Sequence, residues 1–143
     1  MLMDLQNQFS QQQALTTTAV STNSIDLGVA ENIGGGENLF LVMVITTTFV
    51  GGGVTMTPSL QTAIDTAFTS PITVRTYDVF AALTPAQTKR VYRIDPYNDV
   101  GLFVRYIRLN YTISATLTGG AITSFLACDA YVWAPYAVGF VVQ

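Results

Sequence analysis

The sequence predicts an all-β protein, a sandwich or barrel of seven or eight antiparallel strands. Three observations predict it. From Ile25 onward one strand-like run follows another, separated by glycine clusters or by turns rich in Pro, Asn and Asp. No stretch carries a helical period; Ser59 to Phe68 comes closest, and its threonines and the alternation before it argue for strand. The 143 residues suit one domain and suffice for a core without disulfides or metals.

The elements follow in order. Residues 1–23 are dominated by Gln and Thr and have no apolar period. They are expected to be either a frayed terminus or an extended arm that orders against a neighbouring subunit. Ser24 to Leu27 is a short strand ending at Gly28. After the loop with Glu31, Glu37 and Gly34-Gly35-Gly36, Leu39 to Thr48 is apolar on both parities. Such a strand is covered on both faces, by the core on one side and by a neighbour on the other. Beyond Gly51-Gly52-Gly53, the segment Val54 to Ile64 alternates cleanly and reads as half-buried. Pro58 inside it indicates an edge or a bulge.

Asp65 to Pro71 is a connection with Phe68 tucked beneath it, and Ile72 to Phe80 is the next strand. A turn at Leu83 to Gln87 leads to a shorter strand, Lys89 to Ile94. Asp95-Pro96-Tyr97-Asn98-Asp99 is a strong turn cluster, because Pro fixes φ and Asn and Asp bond their own backbone. Leu102 to Leu117 is expected to be the longest strand, with Phe103, Ile107, Leu109, Tyr111 and Ile113 on one face. Thr118-Gly119-Gly120 reads as a hairpin loop, and Ala121 to Ala130 as its returning strand. The tail holds Tyr131, Trp133, Tyr136 and Phe140. The domain reading is therefore an arm at 1–23, a sandwich at 24–130 and an aromatic extension at 131–143.

Composition excludes several functions. Half the residues are apolar and 10% are charged, against about 25% charged in an average domain. Mean hydropathy is +0.40. The longest apolar run, Leu39 to Ile45, has seven residues, whereas a spanning helix needs about 20. No membrane partner is expected, and the N-terminus lacks the features of a signal peptide. The apolar excess points instead to a large subunit interface. Net charge is −3 and the six basic residues lack a nucleic-acid binder's stripe; those from Arg75 to Arg108 alternate with Asp78, Asp95 and Asp99 and read as ion pairs or partner contacts.

Chemistry finds little foothold. The chain has no histidine, which removes Ser-His-Asp and Cys-His nucleophilic sites and His-ligated metals. The lone Cys128 cannot form an internal disulfide and reads as a small buried apolar residue suited to a reducing cytoplasm. The glycine triplets lack the following Lys-Ser or Lys-Thr of a phosphate loop and read as turns. Asp95, Asn98 and Asp99 lack the Gly and distal Glu of a calcium loop. Glu31 and Glu37, the only glutamates, carry no mark of desolvation that a glycosidase pair would need. The sequon at Asn110 reads as accidental. Arg105 interrupts the apolar face of its strand, so a partner is expected: Asp78 or Asp129 within the sheet, or a group across a subunit interface. The chain is expected to be no enzyme and to need no cofactor or metal.

One resemblance adds to this. Thr16-Thr17-Thr18-Ala19-Val20-Ser21-Thr22-Asn23-Ser24-Ile25-Asp26-Leu27-Gly28 is followed by Glu31-Asn32-Ile33-Gly34. Val54-Thr55-Met56, Ser59-Leu60-Gln61-Thr62, Arg105 to Tyr111, and Leu117-Thr118-Gly119-Gly120 come later in the same order. Together, from about residue 15 to 128, these resemble the capsid cement (decoration) proteins of tailed bacteriophages, of the Bordetella-phage type. The resemblance implies a jelly-roll sandwich on the outer surface of an icosahedral phage head, made in the bacterial host cytoplasm. It implies two partners, the major capsid protein of the same phage and further copies of the chain, as a dimer or trimer. The extension 131–143 departs from the family. Interface candidates are Leu15 and Ile25 near the arm, and Tyr131, Trp133, Tyr136 and Phe140 in the tail, aromatic anchors being what interface cores favour. On that reading, deleting residues 1–20 abolishes shell binding and leaves the fold intact. The alternative is a carbohydrate-binding jelly roll that stacks sugars on Tyr131, Trp133 or Tyr136.

Overall fold

The computed structural model describes residues 5–29, 38–94 and 103–128. After a 3-10 turn at Leu5–Asn7, these residues form nine strands: β1 (Gln8–Ala14), β2 (Ala19–Val20), β3 (Ile25–Asp26), β4 (Phe40–Val50), β5 (Met56–Ala63), β6 (Ile72–Thr76), β7 (Lys89–Arg93), β8 (Tyr106–Ile113) and β9 (Gly119–Ala127). The first sheet has the order β1-β9-β4-β7; the second has the order β2-β8-β5-β6, with β3 also on β8. Every pairing is antiparallel.

Strands β2 and β3 lie end to end along β8: Ala19 faces Tyr111, and Ile25 faces Ile107. Taken as one interrupted edge strand, they leave a double-sheet jelly roll in which the chain passes repeatedly between two layers. The sandwich expected from the sequence is therefore present, and the strands it did not expect, β1 and β2, come from residues 1–23.

The core forms where the facing layers meet. Leu41, Met43 and Ile45 from β4 and Phe9 from β1 meet Leu60 from β5 and Ile107, Leu109 and Tyr111 from β8, all without exposed surface. Each such large apolar side chain contributes about 1.5–3 kcal/mol through burial. The other parity of β4 packs separately: Val42 and Val44 are buried with Phe125, flanked by Phe40 and Ala127. Both parities of β4 are thus buried within a single chain, without the neighbour the sequence invited.

Several expectations are corrected. Residues 8–20 are not an arm: β1 is an edge strand of the first sheet, paired with β9, and Phe9 and Leu15 are core residues. The polar residues that resembled an arm hydrogen-bond to one another and to β2 within the chain. Ser10 Oγ donates to Gln13 Oε1 (2.7 Å), Gln13 Nε2 to Val20 O (2.7 Å), and Thr22 N to Gln13 Oε1 (3.1 Å). Deleting residues 1–20 therefore removes part of the core and tests folding, not shell binding.

Thr118-Gly119-Gly120 is not a hairpin between neighbours, because β8 and β9 belong to different sheets. The segment instead carries the chain across the sandwich. Gly120 has φ +152°, and a β-carbon there would fall 2.2 Å from Cδ1 of the buried Phe49 ring. Only glycine fits that approach. The longest strand is β4, with 11 residues, since β8 covers only Tyr106–Ile113.

Pro58 lies in a central strand, not at an edge. The pairing slips beside it: Ser59 faces Thr76, whereas Met56 bridges Phe80. Pro58 O accepts from Tyr77 N (2.9 Å), but the reciprocal bond of that pair is missing because proline has no N–H. Cys128 is exposed, just past the end of β9 where the chain leaves the sheet, and is not the buried residue expected.

Candidate interaction surfaces

The sheets are joined through their core by a polar chain. Tyr111 Oη lies 2.8 Å from Ser10 Oγ and 2.7 Å from Ser124 Oγ. Because Ser10 spends its proton on Gln13 Oε1, the direction is set: Ser124 donates to Tyr111, Tyr111 to Ser10, and Ser10 to Gln13. Burial pushes the Tyr111 hydroxyl up to about 12 against the smaller opposing effect of its two serine partners. This site is closed to solvent and joins β8 of one sheet to β1 and β9 of the other.

Arg105 is half exposed, and its partner is Asp26, a residue the sequence reading did not consider. Arg105 Nε donates to Asp26 Oδ1 and Nη2 to Oδ2, each at 2.9 Å. These bonds, with one from Gly28 N (2.8 Å), hold the Asp26 carboxyl at about 2. The pair joins β3 to the start of β8, so the partner does lie within the sheet, but it is neither Asp78 nor Asp129. Asp26-Leu27-Gly28 was a usable signal, since an Asp two residues before a glycine bonds its own turn. Asp78 lies elsewhere and accepts from Tyr92 Oη.

An open groove of about 810 Å³ runs between the 3-10 turn and the β2–β3 edge, lined by Leu5, Asn7, Thr22, Ser24, Ile25 and Leu27 among others. Ile25 is half-buried: it lines the groove and packs against the core. Leu15 is fully buried and offers no surface to a partner. Tyr131, Trp133, Tyr136 and Phe140 lie outside the described residues, as do Glu31, Glu37, Asp95, Asn98, Asp99 and Asp129. The stacking platform of the carbohydrate reading falls there too. Among the described residues, no three His, Cys, Asp or Glu side chains group as metal ligands.

The edge strands β6 and β7 meet along one flank, where an arginine-aromatic seam joins the sheets. Arg75 Nη1 reaches Arg93 O (3.2 Å), and Arg90 Nη1 donates to Asp78 O (2.8 Å) and Val79 O (3.0 Å). The Arg90 guanidinium lies 4.0 Å from the centre of the Phe80 ring, and the Tyr77 and Tyr92 rings are 4.7 Å apart. Burial raises the Tyr92 hydroxyl above its ordinary value.

On the outer face of the second sheet, Arg108 Nε donates to Gln61 Oε1 (3.0 Å) and its guanidinium lies over the Phe68 ring at 4.2 Å. Asn110 and Thr112 continue that face with neutral polar groups.

The Bbp16 family model matches residues 9–126. The chain belongs to the Bbp16 family. The name of that family points to a Bordetella phage protein. The Bbp16 match starts in β1 and ends in β9, so it takes in the jelly roll from first strand to last and stops short of residues 131–143. No curated protein matches the chain.

Proposed function

We propose that this Bbp16-family protein is a structural component of the virion that decorates the outer surface of an icosahedral phage head and cements its capsomers. The observation that carries the reading is the family match across the jelly roll, β1 to β9. Composition supports it: 50% apolar and 10% charged residues, with no histidine, suit a protein that acts through contact area and not through catalysis. Cementing needs no cofactor. A subunit that touches several capsomers multiplies weak contacts by effective concentration. The partners in this reading are the major capsid protein of the same phage and other copies of the chain, as a dimer or trimer.

The structure changes where such contacts are to be sought. Because Leu15 and β1 are part of the core, the attachment surface is not a free arm. Exposed apolar side chains such as Leu5, Ile64, Ile72 and Leu83 are available instead.

Co-sedimentation of the purified protein with undecorated, expanded heads of its parent phage tests the proposal. The expected result is saturable binding at a fixed ratio to the major capsid protein. A well-folded protein that stays in the supernatant would overturn it.

A further inference from the structure

The outer face of the second sheet carries a small polar cavity. On one side, residues 21–24 form the interruption between β2 and β3, where Ser21 N donates to Leu109 O (2.8 Å) and Leu109 N to Ser21 Oγ (3.1 Å). On the other side, the β5–β6 connection brings the buried Phe68 onto the sheet at φ +51°, a backbone angle that side-chain-bearing residues seldom adopt. Asp65 holds that turn: Phe68 N donates to Asp65 O, and Thr69 N and Oγ1 to Asp65 Oδ1, each at 3.2 Å. The cavity has a volume of about 170 Å³ and is lined by Ser21, Ser24, Thr66, Phe68 and Arg108 among others.

Arg108 is held in place there without a counter-ion. Its Nε is spent on Gln61 Oε1, and its plane lies over the Phe68 ring. Among the described residues, its two terminal nitrogens meet no hydrogen-bond acceptor and no carboxylate. Other arginines end on oxygen: Arg105 on Asp26, Arg90 on Asp78 O and Val79 O, Arg75 on Arg93 O. Burial lowers the Arg108 guanidinium from its ordinary value, whereas Asp26 raises that of Arg105.

A guanidinium fixed by its Nε and its plane gives up little further freedom on binding, and its Nη1–Nη2 edge matches the two oxygens of a carboxylate. Ser24 and Thr66 add hydroxyl donors. Arg108 is the one cation among the lining residues, which suits a single negative charge better than a dianion. The volume is well below the roughly 300–1,000 Å³ of pockets for drug-sized ligands, so it admits an acid head of a few atoms.

We propose that this cavity is a binding site for a carboxylate group, gripped by Nη1 and Nη2 of Arg108 while Phe68 supports the guanidinium plane. The carboxylate is that of a short free acid or of an Asp or Glu side chain on another protein. The inference does not depend on the cement reading.

The test is an NMR titration of the full chain with sodium acetate, with sodium propionate and with the peptide acetyl-Gly-Glu-Gly-amide, against sodium chloride at equal ionic strength. Saturable millimolar shifts are expected at the Arg108 Nε–H and at the backbone amides of Ser24, Thr66 and Phe68. R108Q should abolish them. R108K, which keeps the charge but loses the fork, should weaken binding about tenfold. K89Q removes one positive charge from another strand and should bind within about twofold of wild type. R108K serves alone should R108Q fail to melt cooperatively. Binding of the peptide as well as the acids upholds the site and identifies a protein side chain as its ligand; binding of the acids alone upholds it and identifies a short free acid. Shifts no larger than those with chloride, shifts that R108Q or R108K retains in full, or an equal loss in K89Q overturn the proposal. Inorganic phosphate that binds through the same residues more tightly than acetate overturns the carboxylate assignment.

Discussion

The two sheets of this jelly roll use the same strand geometry under different burial rules. In the second sheet, β8 buries Ile107, Leu109, Tyr111 and Ile113 and turns Arg108, Asn110 and Thr112 outward. In the first sheet, β4 buries Leu41, Met43 and Ile45 on one parity and Val42 and Val44 on the other. One sheet thus has a dry face and a wet face, and the other is dry through its centre. The contrast teaches that a high apolar fraction need not be spent on a partner, since a layer apolar on both parities absorbs much of it within one chain.

The sharpest way to break the dry sheet is at its entry point. Gly120→Ala would place a methyl group against Phe49 and force a backbone angle that suits glycine alone. A loss of about 3 kcal/mol is expected, measured by denaturant unfolding, since overpacking and strain act together. Val42→Thr keeps the shape and adds a hydroxyl to a fully buried position, at an expected cost of about 2 kcal/mol.

Tyr111→Phe tests the link between the layers. It leaves Ser10 and Ser124 without their shared partner, and about 1–2 kcal/mol should be lost. The same variant should change the alkaline limit. The folded state raises the Tyr111 hydroxyl to about 12, above its ordinary value near 10. Its contribution is therefore fully present below about pH 10 and disappears as pH rises through about 12. The wild type should lose stability across that window, and Tyr111→Phe should lose less. Thr112→Val is the mirror of the Val42 change, on the wet face, and should shift stability by less than about 0.5 kcal/mol. Equal effects from the two would dissolve the contrast between the sheets.

Much of this contrast was legible in the sequence. The double parity of Leu39 to Thr48 and the single parity of Phe103 to Ile113 both survive into β4 and β8, because burial on one or both sides of a strand is written at every second residue. What escaped was pairing at a distance. Gln8–Ala14 has few apolar residues, and its place in the first sheet depends on Phe9 and on bonds to residues that only the fold brings near. The two glycines after Thr118 signalled a tight passage but not whether the chain turned back or crossed over. Asp26 and Arg105 are 79 positions apart, beyond any local pattern. On β7 the cluster of cations was plain, yet which of them point outward required the register against β4.

The interrupted edge has a consequence for the behaviour of concentrated material. An unbroken border strand offers a ladder of free amides and carbonyls on which another molecule can extend the sheet. Here one border is cut into the two-residue pieces β2 and β3. A second, β1, slips register twice and carries Gln12 at φ 45°. The remaining two are five residues each, and β7 bears Lys89, Arg90 and Arg93. No border of the described sandwich is long, flat and uncharged, so many copies can be crowded together without templating one another into fibrils.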